Sequence, residues 1–373
     1  MAGPLAGLKV IEMTGLGPCP LAGQLLADMG ADVVAIDRNA GPADPTDVNR
    51  RGKRSVVLNL KSPGGLDAAR ALIAGADALI EGFRPGVMER LGLGPDEALA
   101  LNPRLIYGRM TGWGQAGPLS HSAGHDINYL SITGALHAIG TPQAPIPPLN
   151  LAADFGGGTM FLLFGLLAAL HERQTSGRGQ VIDAAMCEGV PAMMGLIHQW
   201  YAQGAWTTAR GDNLLDGGAP FYRCYATSDG RHMSVGALEP QFFAQLVSLL
   251  GVAVDPARQY ERATWPAMAA SFAAAFETRT LDEWTEVFEG SDACVAPVLT
   301  FEEAEAHPHN AGRGSFCRVG GVLQASPAPR LGRTPAAPPR APGAPGADTE
   351  AVLAEAGLDP AQIAAWRAEG ALG

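Results

Sequence analysis

The sequence predicts an α/β protein: a large domain built on a parallel sheet, followed by a smaller α/β domain. Three observations carry this. Over the first hundred residues strand-like apolar runs alternate with helix-period runs, the pattern of repeated βαβ units whose helices cover a parallel sheet. Residues 203–216 turn polar and Gly-rich, as a linker does. At 373 residues the chain exceeds an ordinary single domain and can bury a large core.

The first strand is expected at residues 8–13, with a helix at 21–29 and a strand at 33–36. A second cycle follows as strand 56–60, helix 66–73 and strand 78–80, then a short helix at 87–91 and a strand at 105–107. Residues 161–170 read as a buried helix and 180–184 as a further strand. Beyond the linker, 233–238 reads as a strand, and 240–250, 265–276 and 281–288 as helices. Residues 325–347 are dominated by Pro, Ala and Gly, so an extended strap is expected there instead of a helix. Two helices close the chain. Thr349 can cap residues 350–356 with Gly357 as their stop, and Asp359 before Pro360 has the N-cap and first-turn pattern of the second.

Hydrophobic residues make up 47% and charged residues 17%, so much of the surface must be apolar or buried against a partner, and an oligomer is favoured. A net charge of −11 argues against nucleic acid, whose phosphates need a basic face. The apolar stretches at 160–170 and 190–197 read as too short to span a bilayer, and the N-terminus lacks a signal-peptide pattern, so a cytoplasmic protein is expected. Abundant Ala, Gly, Pro and Arg with three lysines suggests a bacterial source. The five cysteines (Cys19, Cys187, Cys224, Cys294, Cys317) are widely spaced and read as buried small hydrophobes, not as a disulfide framework. His307 and His309 read as a surface turn, and no metal site is expected. Lys53 and Lys61 join Arg50, Arg51 and Arg54 in a basic island where a polyanionic ligand would sit.

Three strings carry the chemistry: Gly-His-Asp-Ile-Asn-Tyr from Gly124, Ala-Asp-Phe-Gly-Gly-Gly from Ala153, and Gly-Ala-Leu-Glu-Pro-Gln-Phe from Gly236. They supply His125, Asp154 and Glu239: a histidine, a separate carboxylate and a second carboxylate able to orient the histidine, as two-base proton transfer needs. His125 stands at the head of an apolar stripe, Tyr129, Ile132, Leu136 and Ile139, in a first turn whose N–H groups could hold an enolate oxygen. Each residue alone reads equally as a helix cap.

These strings resemble the α-methylacyl-CoA racemases, a branch of the family III CoA-transferase superfamily. The resemblance runs from residue 8 to about 353 and includes Gly-Lys-Arg-Ser from Gly52, Asn-Pro-Arg-Leu-Ile-Tyr from Asn102 and Leu-Asp-Gly-Gly-Ala-Pro-Phe-Tyr from Leu215. It also includes Asp-Ala-Cys-Val-Ala-Pro-Val-Leu-Thr-Phe-Glu-Glu from Asp292. It implies a large Rossmann-like domain at 1–200 and 325–373, a small domain at 215–310, linkers at 201–214 and 311–324, and an interlocked dimer whose active sites lie between subunits. It further implies an isomerase of lipid metabolism that interconverts (R)- and (S)-2-methylacyl-CoA. In that reading His125 and Asp154 are the two bases, the N–H of Asp126 holds the enolate oxygen, and Glu239 pairs with the histidine. The glycines after Asp154 would let the acyl thioester approach the backbone. CoA enters as part of the substrate, with Arg38, Leu58, Asn59, Leu60 and Lys61 at its nucleotide and Gly124, Asn128 and Tyr129 as further residues that bind it; no other cofactor is implied. Met160, Met186, Met193 and Met194 would offer an adaptable acyl surface, or ordinary core.

Three rivals stand beside this. A CoA transferase of the same fold would form an acyl anhydride on one aspartate and needs no histidine–glutamate pair. A nicotinamide oxidoreductase is suggested by Gly15-x-Gly17 after a strand and Asp37 at the end of the next, but Pro20 replaces the third glycine and Arg38 follows the acid. A CoA-binding module with vestigial catalytic groups is the third.

Overall fold

The computed structural model describes residues 3–373. The chain forms two compact units. The first takes residues up to Thr133, Leu149–Met193 and Ala311–Gly373; the second takes Gly134–Pro148 and Met194–Asn310.

The first unit is built on β1 (Lys9–Met13), β2 (Asp32–Asp37), β3 (Arg54–Val57), β4 (Ala78–Glu81), β5 (Ile106–Thr111) and β6 (Gln180–Ala185). They form one sheet in the order β3-β2-β1-β4-β5-β6, with every neighbouring pair parallel. Helices such as Pro18–Asp28, Pro63–Ala74 and Met160–Ser176 connect the strands. Covering both faces explains why β4 is buried along its whole length and β1 at all but Lys9. The strand order reverses between β1 and β4, and in such sheets the crevice beyond the carboxyl ends at that point is where ligands bind.

The core on one sheet face joins Ile11, Val34, Val56, Leu79 and Tyr107 to Val352, Leu353, Ile363 and Trp366 from the end of the chain. Burying each large apolar side chain contributes about 1.5–3 kcal/mol, which anchors the C-terminal helices Thr349–Glu355 and Pro360–Ala368. Leu372 also bridges to Leu58. The chain thus returns to its first unit. No helix forms from residue 326 to 347.

The second unit packs an antiparallel sheet, β7 (Tyr222–Ala226), β8 (His232–Gly236) and β9 (Val295–Pro297), against helices Pro240–Leu250, Trp265–Phe276 and Leu281–Phe288. Their bounds match the sequence expectation because each has a clear start, Pro240 and Pro266 in first turns and Thr280 as a capping-box residue. Phe221, Tyr225, Phe243, Phe272, Phe276 and Trp284 fill its core.

Several expectations need correction. The stripe after His125 is not one helix: Asp126–Ser131 and Ala135–Ala138 are separated by Gly134 at φ 83, where the chain also passes to the second unit. Residues 311–324 hold no simple linker, since β10 (Phe316–Val319) and β11 (Val322–Ala325) form a hairpin in the first unit. Asp348, not Thr349, occupies the N-cap of its helix. Thr349 is buried, and its hydroxyl accepts from the Val57 N–H (3.1 Å) and donates to the Gly346 carbonyl (2.8 Å). Of the five cysteines, only Cys19 is buried.

The helix expected at 161–170 is longer and more exposed than predicted. A π-helical segment, Leu151–Thr159, runs straight into Met160–Ser176, so the glycines after Asp154 do not break it. The resulting helix of 26 residues, with mean hydropathy 1.6 over its most apolar 18-residue window, is long and apolar enough to cross a membrane by length and composition, contrary to the expectation from shorter runs. Leu162, Leu166 and Ala169 are buried, and the helix packs on β5 and β6. Its other face leaves Met160, Phe164 and Leu167 exposed.

Candidate active site

A cavity of about 470 Å³ opens at the carboxyl ends of β1, β4 and β5. Its walls are the turn after β1 (Leu16, Gly17, Pro18), the turn after β4 (Gly82 to Pro85) and the segment from Met110 to Trp113. His125, Asn128, Tyr129, Asp154 and Met186 complete it. The structure therefore brings His125 and Asp154, 29 residues apart, to one cavity at the sheet's switch point.

His125 is the N-cap of Asp126–Ser131 and its side chain is exposed. The Asn128 Oδ1 accepts from its backbone N–H at 3.1 Å, which fixes the entry of the chain. Asp126 holds the first helical position, so its N–H has no acceptor within the helix. With only six residues the helix contributes little dipole, and the single N–H is the useful donor. Tyr129 donates to the Gly124 carbonyl and stacks edge-on against Trp113 at 4.8 Å. Glycine is required beside this ring: a Cβ would lie 2.0 Å from it at Gly112 and 2.6 Å at Gly124.

Asp154 lies inside the π-helical segment and does not cap it, the alternative that its string alone allowed. π-helical turns recur at functional sites because they rotate a side chain away from the regular helical register. Its carboxylate is half-buried and reaches Asn150 Nδ2 at 3.5 Å. Burial pushes the carboxyl above its ordinary value, the neighbouring Asp126 charge pushes it further, and Asn150 and His125 pull it back. The following glycines serve helix packing: a Cβ at Gly157 would lie 2.8 Å from Val190, and one at Gly158 3.1 Å from Met186. The close approach to Asp154 comes instead from Gly17 at φ 75, whose Cβ position is 3.6 Å from the carboxylate.

The turn after β4 was not singled out from the sequence. Buried Glu81 accepts from the Phe83 N–H at 2.8 Å and from Arg109 Nε at 3.0 Å, and Arg109 also pairs with Glu89 at 2.8 Å. This clamp holds Gly82 to Pro85 against the cavity and presents exposed Arg84 there. The signal lay in the sequence: a Gly-Phe-Arg-Pro turn directly follows a predicted strand.

Glu239 caps the Pro240–Leu250 helix in the second unit, where it is exposed; His125 and Asp154 belong to the first. Arg38, Asn59 and Lys61 are exposed beyond β2 and β3. Leu58 is buried in the core with its N–H donated to the Asp37 carbonyl, and Leu60 is partly buried against that core. The basic island is corrected. Arg50 pairs with Asp37 (2.5 Å), Arg51 with Asp28 (2.6 Å), Lys53 with Glu12 (2.6 Å) and Arg54 with Asp32 (2.6 Å), so four of its five cations hold the fold together. Asp37 also accepts from Ser55 at 2.5 Å and is not free for a ribose, which removes the main support for a nicotinamide site. Of the methionines, Met186 lines the cavity while Met160 and Met193 are exposed and Met194 lies in the second unit. No group of three or more metal-ligating side chains occurs among the described residues.

The chain is 49% identical to mouse alpha-methylacyl-CoA racemase over 337 residues, covering 90% of this chain and 88% of the relative. It is 47% identical to the human alpha-methylacyl-CoA racemase over 339 residues, with the same coverage. The crystal structure of a CAIB/BAIF family protein from Brucella suis superposes with a TM-score of 0.77 at 25% identity, covering 95% of this chain and all of that one. The model of the CoA-transferase family III matches residues 5–349, and the chain belongs to that family.

Proposed function

We propose that the protein interconverts (R)- and (S)-2-methylacyl-CoA thioesters by two-base 1,1-proton transfer. The observation that carries this reading is the convergence of His125 and Asp154, from separate elements, on one cavity beside the Asp126 N–H. One base removes the α-proton, the C–H electron pair moves into the carbonyl, and the enolate oxygen accepts from that N–H. The conjugate acid of the other base then returns a proton on the opposite face, and the carbonyl re-forms. The raised carboxyl of Asp154 suits it to serve as acid as well as base. The racemases at 47–49% identity support the same reaction. CoA is a part of the substrate, with Arg38 and Lys61 at its nucleotide, and the chemistry asks for no other cofactor.

A homodimer belongs to this proposal. The exposed apolar face of Met160, Phe164 and Leu167 supports it, and Glu239 would orient the histidine of the partner subunit. A CoA transferase is the second reading, favoured by the family and by a half-buried aspartate in the cavity. Single variants separate the two. His125→Ala and Asp154→Asn should each abolish epimerisation while leaving slow α-proton exchange on the epimer whose base survives, with His125 assigned to the S epimer and Asp154 to the R. Full epimerisation by both variants would refute the two-base assignment.

A further inference from the structure

Resting on that reading, we propose that the Asp126 side chain is a positioning residue that locks the two bases into one unit and keeps a negative charge against Asp154. The geometry carries it. Asp126 follows His125 directly and is 7% exposed. Its Oδ2 accepts from the N–H of Ala153 at 2.9 Å and of Asp154 at 2.7 Å, although 27 and 28 residues separate them. N–H groups in the first turn of a helical segment have no acceptor within it, and this one oxygen meets two of them. The peptide that carries Asp154 is thereby tied to the residue beside His125, so neither base can move without the other.

Both donors act on Oδ2; Oδ1 is buried without a hydrogen-bond partner among the described residues. A need for two acceptors would be met by a neutral amide, so a buried carboxylate there does more than hold the turn. Its charge acts on Asp154, whose carboxyl is raised first by burial and next by Asp126. The other groups facing Asp154 are His125 and Asn150, which act in the opposite sense, and Tyr129 on the same short helix. Gly17 approaches from the turn after β1 and brings no charge.

The test compares Asp126→Asn with Asp126→Ala, following deuterium exchange at the α-carbon of both epimers against pH, and amide exchange at residues 153 and 154. Asparagine keeps the acceptor and removes the charge. It should keep the two amides protected and move the acid limb of the Asp154-dependent epimer to lower pH, because removing a neighbouring negative charge lowers that carboxyl. The Asp154-dependent epimer is the one still exchanged by His125→Ala. Alanine should expose both amides and slow both epimers by about 10²-fold, the scale expected of a misplaced catalytic group. An Asp126→Asn profile that superimposes on the parent would overturn the charge role. Parent-like rates and amide protection in Asp126→Ala would overturn the positioning role. A parent without α-exchange would refute the racemase reading alone, and the amide data would still decide whether Asp126 ties the turn.

Discussion

Lys53→Met tests whether the basic island near the N-terminus is structural. Lys53 and Glu12 are side chains only 3% and 2% exposed, paired at 2.6 Å, and Lys53 also donates to the Pro20 carbonyl at 2.8 Å. The pair lies against Gly23, where a Cβ would fall 1.8 Å from the Glu12 carboxylate and 2.9 Å from Lys53 Nζ. Removing one partner of a buried pair costs about 3–5 kcal/mol because the other charge is left uncompensated. At about 2–4 °C per kcal/mol, that is a fall in Tm of about 6–20 °C. Burial already holds the Glu12 carboxyl above its ordinary 4.5 even beside Lys53, so its contribution is full below the unfolded value and lessens as the pH rises through the folded one. In Lys53→Met, Glu12 is costly only when ionised, so the gap to the parent should narrow towards about pH 4. Glu12→Gln with Lys53→Met should recover most of the loss. Calorimetry across pH reads all three, with KM for an acyl-CoA measured well below the variant's Tm. A Tm within about 2 °C of the parent together with a raised KM would show that Lys53 binds the ligand and not the fold.

Arg38→Ala and Lys61→Ala should raise KM for acyl-CoA with little change in kcat, the signature of uniform binding remote from the reacting carbon, and should leave Tm nearly unchanged because both side chains are exposed. Unchanged KM at matched ionic strength would show that these cations are only solvated. His125→Ala and Glu239→Ala placed in separate, differently tagged chains should yield mixed dimers more active than either parent homodimer, since one of the two sites would then be intact. A mixed dimer no better than its parents would place histidine and glutamate in the same chain or make Glu239 dispensable.

Much of this molecule was legible as periodicity. Strands such as β1 and β4 are near-continuous apolar runs because both faces are covered, and the Pro240–Leu250, Trp265–Phe276 and Leu281–Phe288 helices announce their own starts. What failed was read locally and decided by tertiary contacts. The basic island looked like a ligand surface because Glu12, Asp28, Asp32 and Asp37, its partners, lie up to 41 residues away on other elements. Asp154 read alone could be a cap because a π-helical turn has no signature in residue type, and the glycines after it lie close against Val190 and Met186. Gly134 marks where the stripe after His125 breaks, yet one glycine within a helical pattern is no certain stop. The resemblance named His125 and Asp154 as the two bases, and the structure lines one cavity with both; the Gly82 to Pro85 turn beside them went unread because the Glu81–Arg109 clamp that holds it joins separate strands.

The most direct measurement is NMR of a single epimer of a 2-methylacyl-CoA with the protein in deuterated buffer, with no metal or nicotinamide added, run with and without a free carboxylic acid acceptor. Loss of the α-proton signal, collapse of the 2-methyl doublet and appearance of the other epimer, all independent of the acceptor, are expected of two bases working on opposite faces through an enolate. Retention of the α-proton and of configuration, with CoA moving to the acceptor acid, would contradict it and assign Asp154 to acyl transfer.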